Sequence, residues 1–319
     1  MNLSSSQPAS HGRQYTATAP FVPDRHCDVL ASDGLRLSAT VSGPEQAPAL
    51  LLVHGYPDDS RVWDPVCHLL ANDFRLIRYD VRGAGASRVP ASQDGYRLEQ
   101  LADDVFSVIE ACHPGGPVHL VGHDWGAIQA WEAATDPRAE RWLQSLSVIS
   151  GPCLDHVGSW VRQQWRQRDL PGLSRQLVKS WYIAAFHLPG LAPTAWRAGL
   201  DRLWPRMLAR REQILEHPAS DRRQDGANGV QLYRANIRER LSQPRDRHCA
   251  LPVHILVPER DAFVGGEIMS SARPWVQSLT MEYVDAGHWV PLSHPGKVAA
   301  WLRQHHLHDN NIGISSVGG

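Results

Sequence analysis

The chain has 319 residues, 42% of them hydrophobic, and a formal net charge of −1. That is enough apolar sequence for one large core, and the balanced charge argues against a polyelectrolyte partner such as nucleic acid. The five cysteines are scattered without a CxxC pair, a pattern that favours reduced thiols over disulfides.

The two ends of the chain are predicted to be disordered and to carry no chemistry. Residues 1–22 are rich in Ser, Thr, Gln and Pro, and residues 309–319 form a tail with Gly and Ser. The first 20 residues lack the basic start and apolar stretch of a signal peptide, and no run of 18 apolar residues occurs. We therefore expect a cytoplasmic location and no membrane span.

Strand and helix patterns alternate through residues 23–150. They predict, in order, a hairpin at Asp33-Gly34, a strand over 49–53, a helix over 61–71, a strand over 75–80, a helix over 98–112, a strand over 118–121, a helix over 127–135 and a strand over 145–150. This alternation indicates an α/β fold with a mainly parallel, doubly wound sheet. In such a fold the active site lies at the carboxyl ends of the strands.

Residues 151–251 change to helical patterns broken by prolines, and we predict that they form a lid inserted into the core. The core resumes at residues 252–308, with strands over 253–257 and 279–284 and a closing helix over 295–305. Residues 153–248 hold sixteen arginines and one lysine against nine acidic residues. Arginines at helical spacing are typical of a solvated face, although this charge would also attract an anionic substrate, an acidic lipid surface or an acidic partner.

Between the predicted strand and helix near residue 124 the sequence reads Gly122-His123-Asp124-Trp125-Gly126. This is the glycine-framed nucleophile elbow of an α/β-hydrolase, with aspartate where an esterase has serine, so serine-type ester hydrolysis is excluded. A carboxylate is ionised at neutral pH and can attack the saturated carbon of an epoxide or an alkyl halide without activation. The product is an ester on Asp124, and its hydrolysis by water requires a general base.

Each of the two strands predicted after the lid is followed by a residue that this chemistry needs. Asp261 follows the strand over 253–257, and His288 follows the strand over 279–284. The chain order of nucleophile, acid and histidine is that of the α/β-hydrolases. We predict that His288 is the base for the hydrolytic water and that Asp261 orients its imidazole, with Glu259 as the competing acid.

His54-Gly55-Tyr56-Pro57 closes the strand over 49–53. The turn at this point of the fold supplies one oxyanion-hole amide and the residue after the nucleophile supplies the other, so the predicted donors are the N–H groups of Tyr56 and Trp125. The alternative is a plain turn, and Pro57 is a candidate for a cis peptide bond. We assign the substrate pocket to Pro57, Trp181, Phe186 and Trp289; the other lid tryptophans are assigned to the lid core or its pocket.

No cofactor or metal is predicted. Gly83-Ala84-Gly85 lacks the third glycine of a dinucleotide fingerprint. His305, His306 and His308 lie at the end of the closing helix, and we interpret them as a solvated face rather than a metal site.

As a set, HGYP, the segment YDVRGAGAS at residues 79–87, GHDWG, Asp261 and AGHW resemble the α/β-hydrolase-fold epoxide hydrolases. The resemblance covers residues 25–305 and is strongest to the hydrolase half of proteins in which an epoxide hydrolase is fused to a short-chain dehydrogenase. It implies that two lid tyrosines, here Tyr182 and Tyr233, bind and protonate the epoxide oxygen. It also suggests a separate dehydrogenase acting in the same pathway.

The leading hypothesis is therefore a cofactor-independent enzyme that converts an apolar or lipid-like epoxide to a vicinal diol. A haloalkane dehalogenase uses the same aspartate and would hold halide with Trp125, but it explains the two tyrosines poorly. A catalytically silent binding protein is the alternative from another class. The physiological epoxide and the oligomeric state, including a homo-oligomer, stay open.

Overall fold

The computed structural model describes residues 24–169, 174, 179–188, 190–214, 217–218 and 221–312, with side chains of the last helix described as far as His306. The predicted disordered residues 1–22 and most of the predicted tail lie outside these ranges.

An eight-stranded sheet forms the centre of the fold. Its strands are β1 Arg25–Leu30, β2 Arg36–Ser42, β3 Ala49–Val53, β4 Arg75–Tyr79, β5 Val118–His123, β6 Leu143–Ile149, β7 Val253–Pro258 and β8 Leu279–Val284. The spatial order is β1-β2-β4-β3-β5-β6-β7-β8, with β1, β2 and β4 paired antiparallel and all other pairs parallel. The predicted α/β class with a mainly parallel sheet is confirmed.

The helices are α1 Asp64–Leu70, α2 Leu98–Cys112, α3 Trp125–Ala134, α4 Ala139–Trp142, α5 Leu154–Gln167, α6 Trp181–His187, α7 Leu191–Ala195, α8 Asp201–Arg211, α9 Arg222–Ser242, α10 Gly266–Met269, α11 Val290–Ser293 and α12 Pro295–Ile312. Short 3₁₀ turns cover Ser60–Trp63, Gln93–Tyr96 and Ser270–Trp275. A turn at Trp196–Leu200 links α7 to α8. The central strands β3, β5 and β7 are buried along their whole length, as expected for parallel strands covered on both faces by helices.

Three of the predicted helices begin or end at other residues in the structure. The helix expected over 61–71 is divided into two elements. Asp59 caps a short 3₁₀ turn, and α1 follows it with Pro65 in its first turn. The helix expected from residue 127 begins at Trp125, directly after the elbow. The closing helix continues to Ile312, so residues 309–312, which we expected to be disordered, are helical.

The segment between β6 and β7 is helical in its described parts and covers the carboxyl ends of the strands. Helix α9 anchors it to the core: Arg240 pairs with Asp155 at 2.9 Å and with Glu132 at 3.2 Å, and all three side chains are buried. Asn236 on the same helix accepts from the N–H of Leu98 at 2.9 Å. We keep the name lid for residues 151–251.

None of the helices in the described ranges is long and apolar enough to cross a membrane.

Candidate active site

The elbow places Asp124 between β5 and α3 in a backbone conformation that few side chains adopt. Its φ is 53° and its ψ −123°. A Cβ at Gly126 would lie 2.1 Å from the carbonyl oxygen of Val53, and one at Gly122 would lie 2.5 Å from Cα of Ala127. Both glycines are therefore required by close backbone approach, which is the physical basis of the motif.

The turn after β3 brings a backbone donor to the Asp124 carboxylate. The N–H of Tyr56 donates to Oδ1 of Asp124 at 2.7 Å, and the Tyr56–Pro57 peptide bond is cis. Gly55 leaves room for this approach, because a Cβ there would lie 2.4 Å from the same oxygen. Trp125 is the first residue of α3, so its N–H has no acceptor within the helix. Of the two amides assigned from the sequence, that of Tyr56 therefore contacts the carboxyl group, and that of Trp125 is free of a partner within the helix.

His288 lies between the two carboxylates. Its Nδ1 is 2.9 Å from Oδ2 of Asp261, and its Nε2 is 3.5 Å from Oδ2 of Asp124. The other oxygen of Asp261 accepts from the N–H groups of Phe263 at 2.7 Å and Val264 at 3.0 Å. The competing acid, Glu259, is exposed, whereas Asp261 is buried and contacts the histidine.

Asp124, His288 and Asp261 form a triad in which each charge affects the pKa of its neighbours. Burial works to lower the pKa of His288, but the carboxylates of Asp261 and Asp124 outweigh it and hold that pKa well above its ordinary value. Burial works to raise the pKa of Asp261, and the interaction with His288 outweighs it and lowers the pKa of that carboxyl. The two carboxylates therefore favour the protonated form of the imidazole between them.

Tyr182 and Tyr233 lie together above the elbow, on α6 and α9. Their ring centroids are 6.0 Å apart, and the ring of Tyr233 is 4.8 Å from that of Trp125. Burial, with the negative charge of Asp124 as a further cause, raises the pKa of both phenols above the ordinary value. Both hydroxyls consequently stay protonated at neutral pH and can donate a proton.

A cavity of about 370 Å³ opens beside these groups. Asp124, His288, Tyr182 and Tyr233 all border it. The rest of its apolar wall comes mainly from Phe186, Trp196, Leu200, Trp204, Met207 and Phe263. Of the four residues assigned to the pocket, Trp181, Phe186 and Trp289 line this cavity, and Trp181 is 71% exposed at its mouth.

The fourth assigned pocket residue, Pro57, does not line this cavity. It borders a separate void of about 20 Å³ behind the Tyr56 turn, together with Gln129 and Asp225. Its side chain is on that side because the backbone of the turn faces Asp124. The assignment of Pro57 to the substrate pocket is wrong for this structure.

Sequence reasoning missed several residues that contact the triad. The Phe263 ring lies 5.0 Å from that of His288 and also edges Tyr182, and its position two residues after Asp261 was the available signal. Lys179 donates to the carbonyl oxygen of Asp261 at 2.8 Å. His123, inside the elbow motif, donates from Nε2 to the carbonyl oxygen of His288 at 2.9 Å; burial, aided by His288, lowers its pKa to about 4, so it is neutral.

A second polar network lies next to the triad. Asp58 accepts from Nε1 of Trp289 at 2.9 Å and lies 2.8 Å from Nε2 of His217. Burial works to raise the pKa of Asp58, but His217 outweighs it and lowers that pKa. The network fixes the indole of Trp289, the residue after His288. No sequence motif marked it, because Asp58 and His217 are 159 positions apart.

Two of the three α12 histidines that we expected on a solvated face, His305 and His306, are buried, and the side chain of the third, His308, lies outside the described residues. His305 is 7% exposed and His306 is 1% exposed. The His305 ring stacks on that of His254 at 3.9 Å, and the His306 ring packs at a tilt against that of His119 at 3.6 Å. Hydropathy alone suggested exposure, whereas the helix packs this face against the sheet. In the part of the chain that the structure describes, no group of three potential ligands is arranged to hold a metal ion.

Comparison with known proteins agrees with this fold. The family model described as "alpha/beta hydrolase fold" matches residues 48–151. The chain is 34% identical over 286 residues to the "Probable oxidoreductase EphD" of Mycobacterium tuberculosis, covering 85% of this chain and 48% of that protein. It is 27% identical to "Epoxide hydrolase 3" of Mus musculus, covering 86% of this chain and 74% of the relative.

Solved structures add to the evidence on fold. An epoxide hydrolase from Bacillus megaterium superposes with a TM-score of 0.71 at 22% identity, covering 88% of this chain and 99% of that one. The chain spans about half the length of EphD.

Proposed function

This chain belongs to the α/β-hydrolase-fold epoxide hydrolase family, and from that premise we propose that it hydrolyses an epoxide to a vicinal diol. The observation that carries the proposal is the Asp124 carboxylate, 2.7 Å from the Tyr56 amide and 3.5 Å from His288, in a cavity bordered by two protonated phenols. A carboxylate nucleophile, an acid for the leaving oxygen and a base for water are the three groups that this reaction needs.

In the first half-reaction Asp124 attacks one ring carbon and the carbon–oxygen bond to that carbon breaks. The electron pair goes to the epoxide oxygen, which takes a proton from Tyr182 or Tyr233. The carboxylate needs no activation because it is already ionised. The product is a hydroxyalkyl ester of Asp124, and the tyrosinate regains a proton at the expense of His288, directly or through solvent.

The second half-reaction uses the change of charge at Asp124. Once Asp124 is an ester, only Asp261 still raises the pKa of His288, so the imidazole becomes neutral more readily. It then takes a proton from water as the oxygen attacks the ester carbonyl. The amides of Tyr56 and Trp125 donate to the resulting oxyanion. Collapse breaks the bond between the carbonyl carbon and the oxygen of the diol, and that oxygen takes the proton of the added hydroxyl. The diol leaves, Asp124 is again ionised, and His288 keeps the proton that it took from water.

We further propose an apolar, lipid-like substrate. Most of the cavity wall is aromatic or aliphatic, and its volume is at the lower end of the range for small-molecule sites. Lys179 and Arg211 are the cationic side chains on this wall. Within the described ranges neither is paired with a carboxylate, an arrangement that favours a substrate with an anionic group. Association with a dehydrogenase or with a second copy stays a prediction.

Two variants and styrene oxide test the proposed mechanism. His288→Gln lacks the base, so we expect the substrate mass to remain on the enzyme, with intact mass spectrometry and peptide mapping assigning it to Asp124. Asp124→Asn should carry no added mass and form no diol. Diol formation by Asp124→Asn without deamidation to aspartate would refute the proposal.

The dehalogenase and the silent binding protein fit less well. The Trp125 indole, which a dehalogenase would offer to halide, interacts with the Tyr233 hydroxyl. The aligned triad and the cavity beside it argue against a silent protein. Assays of halide release from a haloalkane, run beside diol formation from styrene oxide, distinguish the three alternatives.

A further inference from the structure

The side chain of Tyr56 joins the lid to the turn that carries the proposed oxyanion donor. Its hydroxyl donates to the carbonyl oxygen of Gly226 at 2.9 Å and accepts from Nε1 of Trp196 at 2.5 Å. Its backbone N–H donates to Oδ1 of Asp124 at 2.7 Å. A single residue of the core therefore contacts two elements of the lid and the proposed nucleophile.

Helix α9 is shaped to receive this contact. A Cβ at Gly226 would lie 2.3 Å from the Trp196 ring, and one at Gly229 would lie 2.4 Å from the Tyr56 ring. Trp196 is 1% exposed and Tyr56 is 8% exposed, so the indole N–H and the phenol are buried. Breaking either hydrogen bond would leave a buried polar group unsatisfied.

We propose that Trp196 and the Gly226 carbonyl are positioning groups for ester hydrolysis, holding the Tyr56 hydroxyl so that the Tyr56 N–H stays directed at the Asp124 carboxyl group. This inference rests on the proposed function. Burial raises the pKa of Tyr56, so its hydroxyl remains a donor across the neutral range. The oxyanion forms only when water attacks the ester. The lid contact therefore acts on the second half-reaction and leaves alkylation of Asp124 unaffected.

Trp196→Phe and Tyr56→Phe test the inference, since each keeps an aromatic ring and removes the hydrogen bond. With styrene oxide, we expect each to slow ester hydrolysis about tenfold, less than the roughly 10²- to 10³-fold cost of losing a whole oxyanion donor. The fraction of enzyme carrying the ester at steady state, measured by rapid quenching and intact mass spectrometry, should rise. Both kcat and KM should fall while kcat/KM stays within about twofold, because alkylation is unchanged. The double variant should match Tyr56→Phe, which already lacks both hydrogen bonds of the hydroxyl.

Asn228→Ala is the matched control. Asn228 lies on the same helix and donates to the carbonyl oxygen of Gly83 at 2.9 Å, so this variant removes a contact between lid and core that does not involve Tyr56. We expect its ester fraction to equal that of the wild type. If Trp196→Phe also leaves the ester fraction at the wild-type level, or slows alkylation as much as hydrolysis, the inference is wrong. If His288→Gln traps no ester, the proposed function fails first and this inference falls with it.

Discussion

At the residue scale, Asp124 and His288 depend on each other through charge. The imidazole lies 3.5 Å from one carboxylate and 2.9 Å from the other, and both raise its pKa against the effect of burial. A histidine that is protonated at rest cannot serve as a base. In the proposed mechanism, esterification of Asp124 would remove one of the two negative charges and so make the base available only after the first half-reaction.

The Asp124→Asn variant isolates this coupling, because asparagine resembles the ester in shape and in charge. We expect the pKa of His288 to be lower in Asp124→Asn than in the wild type, since one carboxylate has been neutralised. Imidazole nitrogen shifts in ¹⁵N-histidine-labelled protein, assigned with His288→Gln, measure this pKa. An unchanged or higher value would contradict the proposed order of events.

The two lid phenols give a second prediction at this scale. Tyr182→Phe and Tyr233→Phe remove a proton donor to the epoxide oxygen while keeping the ring, so alkylation should slow by roughly 10² or more when both are replaced, the range of general acid catalysis. Ester hydrolysis should continue at the wild-type rate. Single-turnover measurements with excess enzyme separate the two steps. Equal loss in both steps would indicate that the tyrosines support the lid and do not act as acids.

At the element scale, helix α12 buries two polar residues, His305 and His306, against the sheet. His306 packs against His119, with ring centroids 3.6 Å apart, and the neighbouring His254 and His305 also stack, at 3.9 Å. Burial, followed by the effect of these neighbouring histidines, lowers the pKa of His306 to about 2. His305 lies 2.6 Å from Glu282, which is the carboxylate of β8 nearest to this cluster. The helix is therefore held by buried imidazoles, among which His306 is neutral.

An acid-sensitive stability follows from this packing. A histidine in the unfolded chain binds a proton below about pH 6.5, whereas folded His306 stays neutral down to about pH 2, so the folded state loses stability as the pH falls through this interval. Between pH 7 and 5 the loss is about 2 kcal/mol for one such histidine. His306→Leu should lose this part of the pH dependence in urea unfolding. His68→Gln, at an exposed position, should retain it, and equal pH dependence in His306→Leu and the wild type would contradict the assignment.

At the scale of the whole molecule, the charge is divided between lid and core. The net charge is −1, yet residues 153–248 carry sixteen arginines and one lysine against nine acidic residues. Some of this charge is neutralised internally, as Arg240 is by Asp155 and Glu132. Arg211 and Lys179 border the cavity instead, where they can act on a ligand.

We therefore predict a preference for an anionic epoxide. The kcat/KM for cis-9,10-epoxystearic acid should exceed that for its methyl ester, and Arg211→Met should reduce this ratio several-fold, because it removes a cation from the cavity wall. Arg210→Met makes the same change of charge one position away, outside the wall, and should leave the ratio unaltered. The effect of Arg211→Met should weaken at high salt. A ratio near one in the wild type would show that the cation does not select the substrate.

The residues that the sequence alone identified are those with strong local patterns. Asp124 was recognisable because the elbow needs glycines at fixed positions, and Asp261 and His288 because the ends of consecutive parallel strands converge at one edge of the sheet. The burial of His306, the position of Pro57 outside the cavity and the contact of Trp196 with Tyr56 could not be derived in this way. Each depends on how a segment packs against another that is distant along the chain, and Trp196 and Tyr56 are 140 positions apart. Local backbone preferences depend on neighbouring residues and can be predicted from them. The contact between lid and core depends on how the surfaces of two segments that are distant along the chain fit together.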